Sequence, residues 1–196
     1  EAVTRRYERM APLYDIYDAP MELLGTRTRR ERTVNQAVGR VLEAGIGTGK
    51  NIPFYPPGTQ VVGVDVSTRM LMRARSRALA SDVNVTLELG DVTQLPYEDD
   101  SFDTAVATTI FCSVADPVAG LRELVRVTKP RGRILLVEHV RSRNPLLGIV
   151  ADIVTPVTRR VFGFRANRRT EDILVPAGLD IVDSYVSITE VSEYAR

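Results

Sequence analysis

The residues Arg40–Asp65, RVLEAGIGTGKNIPFYPPGTQVVGVD, decide the fold. Arg40–Ala44 carries the aliphatic Val41 and Leu42 of a strand, and it breaks at Gly45-Ile46-Gly47-Thr48-Gly49. Three glycines in five positions remove Cβ atoms where the backbone must turn sharply, and let a ligand lie against it. Val61–Val64 is a short apolar run, the pattern of a parallel strand covered on both faces, and Asp65 closes it. A carboxylate twenty residues beyond Gly45 stands where α/β sheets hold a ribose diol, at the carboxyl ends of the strands. Two details separate this turn from the dinucleotide fingerprint G-x-G-x-x-G. The third glycine falls one place early, and Glu43 sits two residues before Gly45, where it would repel a pyrophosphate and suit a cation.

The pattern E-x-G-x-G-x-G followed by an acid-terminated second strand resembles the S-adenosylmethionine site of class I methyltransferases. The resemblance implies a Rossmann-like α/β fold, a seven-stranded, mostly parallel sheet with helices on both faces. It implies that the glycine turn packs on the methionyl part of the cofactor, with Glu43, Gly45, Gly47 and Thr48 in that region. Asp65 takes the ribose hydroxyls, flanked by Val66 and Met70. Gly90-Asp91-Val92 resembles the segment that reads the adenine, Asp91 accepting from its exocyclic amine and Val92 beside it. Ser101-Phe102-Asp103 leading into Ala105–Thr108 resembles the fourth-strand motif, with Thr108 next to the cofactor. Lys129-Pro130-Arg131-Gly132 resembles the family's K-P-G-G turn with Arg131 in place of the first glycine, a change expected to be harmless. S-adenosylhomocysteine is the implied product, and no metal is expected.

The 196 residues fit one domain with a core of its own, read as an N-terminal helical lid over 1–39 and a methyltransferase domain over 40–196. A net charge of +1 gives no reason to expect a nucleic-acid partner. Lys50 and Lys129 are the only lysines among the basic residues. Arginine's planar fork suits phosphate, although a bias in genome composition explains the preference equally well. Cys112 is the single cysteine, so no internal disulfide can form and a cytoplasmic location is the default. No signal peptide and no membrane-spanning run is evident. Glu1 suggests that some native N-terminal sequence is missing, and a monomer is expected.

Along the chain, Val3–Met10 reads as a short helix, and Ala11–Pro20 as a turn-rich segment holding Tyr14, Asp15, Tyr17 and Asp18. A helix from Met21 carries Arg27, Arg29, Arg30 and Arg32 on several faces, either as a solvated surface or as a patch drawn to an anionic membrane. Ser67 caps a helix to Ala80. Strands follow at Val83–Leu89, Thr104–Thr108 and Arg133–Val140, and a helix opens at Asp116-Pro117. Beyond Arg141, apolar residues recur from Leu146 to Val161 at helical spacing, and Gly148 and Pro156 predict two short helices there. That stripe is either a core-packing face or an amphipathic element at a membrane interface. Ile181–Ser187 and Ile188–Tyr194 read as a closing antiparallel pair.

A narrower resemblance is to the ubiquinone/menaquinone-type methyltransferases, and within them to the bacterial phospholipid N-methyltransferase branch. It rests on Tyr14-Asp15-x-Tyr17-Asp18-x-Pro20-Met21-Glu22, Phe111-Cys112-Ser113-Val114, Val137-Glu138-His139-Val140-Arg141-Ser142 and Asn167-Arg168-Arg169-Thr170. This implies stepwise N-methylation of phosphatidylethanolamine towards phosphatidylcholine, by a protein peripherally bound to the inner face of an anionic membrane. Methylated ammonium groups suit a box of tyrosines through cation–π contacts. Tyr7, Tyr14 and Tyr17 precede the sheet, and His139, the only histidine, ends the fifth strand. Tyr14, Tyr17 and His139 are the expected catalytic residues at the acceptor amine, and Arg141, Arg168 and Arg169 the expected holders of the lipid phosphate. Each also has a structural explanation, in packing of the N-terminal segment or in surface solvation. A C- or O-methyltransferase acting on a quinone, and a non-catalytic membrane-binding module, are the competing readings.

Overall fold

The computed structural model describes residues 2–139, 145–161, 167, 171–179, 181–186 and 190–195. Its sheet has seven strands in the order β3-β2-β1-β4-β5-β7-β6. They are β1 Arg40–Ala44, β2 Gln60–Asp65, β3 Asn84–Leu89, β4 Phe102–Thr108, β5 Thr128–His139, β6 Ile181–Val186 and β7 Glu190–Ala195. The first five are parallel, and the C-terminal hairpin adds β7 antiparallel to β5. The strand order reverses between β1 and β4, the place where open α/β sheets leave a crevice for ligands.

Alternation along the central strands sends side chains into two cores. Val41, Val61, Val106 and Leu135 pack on one face with Val34 and Ala37 from the end of the N-terminal helices. Leu42, Val64, Ala105, Ala107 and Leu136 pack on the other with Leu121 and Leu124 of α5, Pro117–Val127. Helix α4, Thr68–Leu79, starts where expected: Ser67 Oγ accepts from Met70 N at 3.2 Å, and Met70 and Ala74 are buried. Asp116 caps α5 in the same way, accepting from Ala119 N at 3.0 Å.

Three expectations are corrected. Ala11–Pro20 is helical rather than turn-rich. Helix α1, Ala2–Met10, runs through a 3-10 turn into α2, Tyr14–Met21, then a π turn at Glu22–Thr26 and α3, Arg27–Val34. Ion pairs made by Asp15 and Asp18 outweigh the local turn signals, and Pro20 falls in the last turn of α2, while the bend is made at Gly25, whose φ is +112°. The arginines of α3 are not all solvated, because Arg30 is buried and pairs with Glu22 at 2.9 Å. The segment Pro145–Val161 is one helix, α6, that continues through Pro156. Proline removes the backbone donor that would reach Asp152 O four residues back, at the cost of one helical bond, and Thr155 Oγ1 separately donates to Ala151 O at 2.6 Å. A short helix α7, Glu171–Leu174, precedes the closing hairpin.

The N-terminal helices are clamped to α4. Arg69, Arg73 and Arg77 repeat every fourth residue and so share one face. Arg69 pairs with Glu8 at 3.5 Å, and Arg73 and Arg77 both pair with Asp15 at 2.8 Å. Burial would raise the Asp15 carboxyl, but hydrogen bonds from Arg73, Thr48 and Arg77 outweigh it and hold the group at about 2.

Candidate active site

A cavity of about 260 Å³ opens at the carboxyl ends of β1, β2, β3 and β4. Gly45 and Gly47 form its floor, with φ of +65° and +57°. A Cβ on Gly45 would lie 2.3 Å from Ile110 Cγ2, so glycine is needed for packing there. A Cβ on Gly47 would meet nothing closer than 3.9 Å, so that glycine leaves open room above the turn.

Asp65 ends β2 at the edge of this floor. Its Oδ2 accepts from Gly47 N and its Oδ1 from Ser67 N, each at 2.9 Å. Burial raises the carboxyl and these two amides lower it, leaving it at about 6. Asp91 lies just past β3, where Oδ1 accepts from Thr93 N at 2.9 Å and from its hydroxyl at 2.8 Å. Val66, Met70, Val92, Ile110 and Val114 give the cavity apolar walls. Thr108, at the end of β4, completes the rim.

The helical N-terminal segment covers the opening, with Val3, Thr4, Tyr7 and Tyr14 in the lining. Tyr7 Oη and Ser113 Oγ share a hydrogen bond of 2.7 Å. Ring centroids run from Tyr7 to Tyr14 at 6.2 Å and on to Tyr17 at 6.5 Å, where the surface is reached. Burial raises the phenols, Tyr14 well above its ordinary value and Tyr17 to about 12, so both are neutral donors.

Of the sequence candidates, Gly45, Gly47, Asp65, Val66, Met70, Asp91, Val92, Thr108 and Tyr14 line one cavity. Glu43, Thr48 and Tyr17 do not. Glu43 points to the α3 side of the sheet because it shares a face with Val41. There it is buried and accepts from Asn51 Nδ2 at 2.7 Å and from Tyr55 Oη at 2.8 Å. Burial raises its carboxyl to about 7 against the lowering effect of Tyr55, Arg30 and Asn51. The Thr48 hydroxyl donates to Asp15 Oδ1 at 2.7 Å, tying the glycine turn to α2. His139 is the last residue of β5, in register with Glu190, and its side chain lies outside the described residues. Arg141, Arg168 and Arg169 lie outside them too.

Sequence reasoning missed what holds the loop after β4 in place as a wall of the cavity. Glu138 fixes that loop, its Oε1 accepting from Ile110 N at 2.8 Å and Phe111 N at 2.9 Å. An acid inside the buried run Ile134–Val137-Glu138 was the available signal. Tyr7 was also undervalued. Its seven-residue spacing from Tyr14 places both rings on one side once the segment is helical.

The site fits S-adenosylmethionine. The bare Gly47 floor, an acid at the end of β2 and an apolar slot leading to Asp91 match a molecule with a charged tail, a diol and a flat base. Among the described residues no group of three His, Cys, Asp or Glu could hold a metal. Comparison with known proteins agrees with the geometry. Residues 42–136 match the family model described as "Methyltransferase domain". The chain is 31% identical over 188 residues to phosphatidylethanolamine N-methyltransferase of Cereibacter sphaeroides, covering 93% of this chain and 90% of that one. It is 33% identical over 157 residues to demethylmenaquinone methyltransferase of Deinococcus radiodurans, covering 76% of this chain and 65% of the relative. The crystal structure of the YcgJ protein from Bacillus subtilis superposes with a TM-score of 0.66 at 26% identity, over 82% of this chain and 70% of that one. With the sheet order, the glycine floor and Asp65 in place, the chain belongs to the class I S-adenosylmethionine-dependent methyltransferases.

Proposed function

We propose that this methyltransferase N-methylates phosphatidylethanolamine and its methylated intermediates at an anionic membrane surface. The observation that carries the reading is the tyrosine series, in which Tyr7 and Tyr14 line the cavity and Tyr17 continues outward. Aromatic faces attract methylated ammonium groups, most strongly where water is excluded. The relative from Cereibacter sphaeroides, whose name states this activity, supports the choice.

Bound against Gly47 and Asp65, S-adenosylmethionine supplies an electrophilic methyl group on a positively charged sulfur. The chain's part is to orient the acceptor and exclude water. An amine with a lysine-like pKa of about 10.4 must lose its proton first, at a cost of roughly 4–5 kcal/mol at neutral pH. The apolar walls Ile110 and Val114 lower that cost by disfavouring the ammonium form. Tyr7 and Ser113 offer hydroxyl oxygens to the amine at the inner end of the series. Tyr14 and Tyr17 hold the methylated products. His139, at the end of β5, is assigned to the acceptor amine, and Arg141, Arg168 and Arg169 to the phosphate, on the sequence motifs alone.

Residues 1–39 are read as a lid that is also proximal to the membrane. Helix α6 offers a lipid-facing surface, because Leu146, Ile149, Val150, Ile153, Val154 and Val157 are exposed along it. The backbone of α6 is tied to α1 by Arg6 Nη2, which donates to Arg160 O at 3.4 Å. Among the described residues no helix is long and apolar enough to cross a membrane. The relative from Deinococcus radiodurans favours a second reading, methylation of a quinone. Replacing Tyr14 by leucine separates the two. Aminolipid methylation predicts a KM for monomethylated and dimethylated lipid raised about tenfold, the loss of one desolvated cation–π contact. Unchanged kinetics on both lipids would remove the tyrosine argument.

A further inference from the structure

Asn51 follows the glycine turn and is fully buried, yet it does not line the cavity. Its amide works in three directions. Nδ2 donates to Glu43 Oε1 at 2.7 Å and to Thr108 Oγ1 at 3.0 Å, and Oδ1 accepts from Arg30 Nη1 at 2.8 Å. A carboxylate on one side and a guanidinium on the other fix which end of the amide faces which. Arg30 also donates from Nη2 to Glu22 Oε1 at 2.9 Å. Glu22 lies 3.8 Å from Lys50, which pairs with Asp18. The π turn, α2 and α3 are thus held by two consecutive residues, Lys50 and Asn51, just beyond the glycine turn. The same N-terminal segment places Tyr7 and Tyr14 in the cavity.

We propose that Arg30 and Asn51 are positioning residues that couple closure of the N-terminal helices to cofactor binding. They act through Glu43 beneath the glycine turn and Thr108 at the cavity rim. The groups facing Glu43 are Arg30 from α3, Asn51 and Tyr55 from the segment after the turn, and Asp65 from β2. Its two bonded partners, Asn51 and Tyr55, are neutral, and positive charge reaches it from Arg30 through the Asn51 amide. If the N-terminal helices swing away, Asn51 Oδ1 loses its donor, and Glu43 keeps its bonds from Asn51 and Tyr55 but loses the positive charge of Arg30 that faces it. Closure therefore favours the ionised form of Glu43, because Arg30 lowers its carboxyl against burial, and a negative Glu43 under the turn favours the ammonium of the cofactor's tail above it. Coupling of this kind is reciprocal, so the cofactor must in turn hold the helices closed. The inference rests on the cofactor site and is independent of which acceptor is methylated.

The test combines calorimetric binding of S-adenosylhomocysteine with amide hydrogen exchange of residues 2–34 in the full chain. In the unsubstituted protein the ligand is expected to slow exchange across α1–α3. Arg30→Gln is expected to bind about tenfold more weakly and, when saturated with ligand, to show no slowing. Arg30→Lys retains the charge without the two-pronged geometry, and is expected to fall between the two; it serves as the folded comparison if Arg30→Gln is not stable. A merely structural role would lower the melting temperature but leave both the affinity and the ligand-induced slowing intact. That result in either folded variant overturns the proposal.

Discussion

Replacing Glu43 by glutamine preserves the side-chain shape and removes a buried charge. Glutamine Oε1 can accept from Asn51, and its Nε2 can donate to the Tyr55 oxygen, so both contacts of Glu43 have counterparts. The wild-type carboxyl is moved from its ordinary 4.5 to about 7, first by burial. The folded state therefore binds this proton more tightly than the unfolded state, and it loses stability as pH rises through the window from 4.5 to about 7. Below that window the carboxyl is protonated in both states and costs nothing. Above it, the penalty levels off at roughly 3 kcal/mol. The stability of Glu43→Gln relative to wild type should thus increase by roughly 3 kcal/mol between about pH 4 and pH 8, or about 6–12 °C in midpoint for a chain of this size. Asp65, at about 6, titrates in both proteins, and its repulsion of Glu43 ranks behind burial and the effects of Tyr55, Arg30 and Asn51, so the difference follows Glu43. Urea or thermal unfolding at several pH values measures the difference. A difference that is flat with pH would refute the reasoning that Glu43 is a buried, charge-bearing acid. The same variant should bind S-adenosylmethionine more weakly at pH 8, although it is more stable there.

Arg131 is exposed near the start of β5, where the register with β4 is irregular, and its φ of +67° disfavours a side chain; it is absent from the cavity lining, as expected. Arg131→Gly should stabilise the protein by about 1 kcal/mol in denaturant unfolding, with cofactor affinity unchanged. Asp65→Ala removes the acceptor of two backbone amides and the proposed ribose ligand. Calorimetry should show S-adenosylhomocysteine binding weakened by roughly 100-fold. Asp15→Asn removes the charge shared by Arg73 and Arg77. The wild-type carboxyl is held down at about 2, so its contribution is present above an ordinary value of 3.8 and fades as pH falls towards 2. At neutral pH the variant should be cut faster by protease within residues 2–21, whereas the sheet should remain resistant.

The parallel core could be read from the chain because its signals are local. The β1 strand, the glycine break and the acid closing β2 lie within 26 residues, and Ser67 and Asp116 announce their helices directly. The N-terminal segment was misread for the opposite reason. Its proline and aspartates look like turn residues, and what makes it helical is distant charge: Arg73 and Arg77 lie 58 and 62 residues beyond Asp15. Glu43 shows the limit of motif reasoning. The motif places it near the cofactor, but strand alternation sends its side chain through the sheet to Asn51 and Tyr55, and only the fold reveals that. Arg30 looked like one member of a solvated cluster until burial and the Asn51 amide set it apart. Pro156 does not divide α6, which runs on through it to Val161 at the cost of one backbone donor.

The measurement that bears most directly on the account is transfer of labelled methyl from S-adenosylmethionine in a single competition. Anionic liposomes would contain phosphatidylethanolamine and a demethylated menaquinol in equal amounts, with the extracted lipids then resolved by chromatography. The account predicts label in monomethylated, dimethylated and trimethylated aminolipid, with the quinol unlabelled. Label confined to the quinol would contradict the proposed acceptor while leaving the fold and the cofactor site as described.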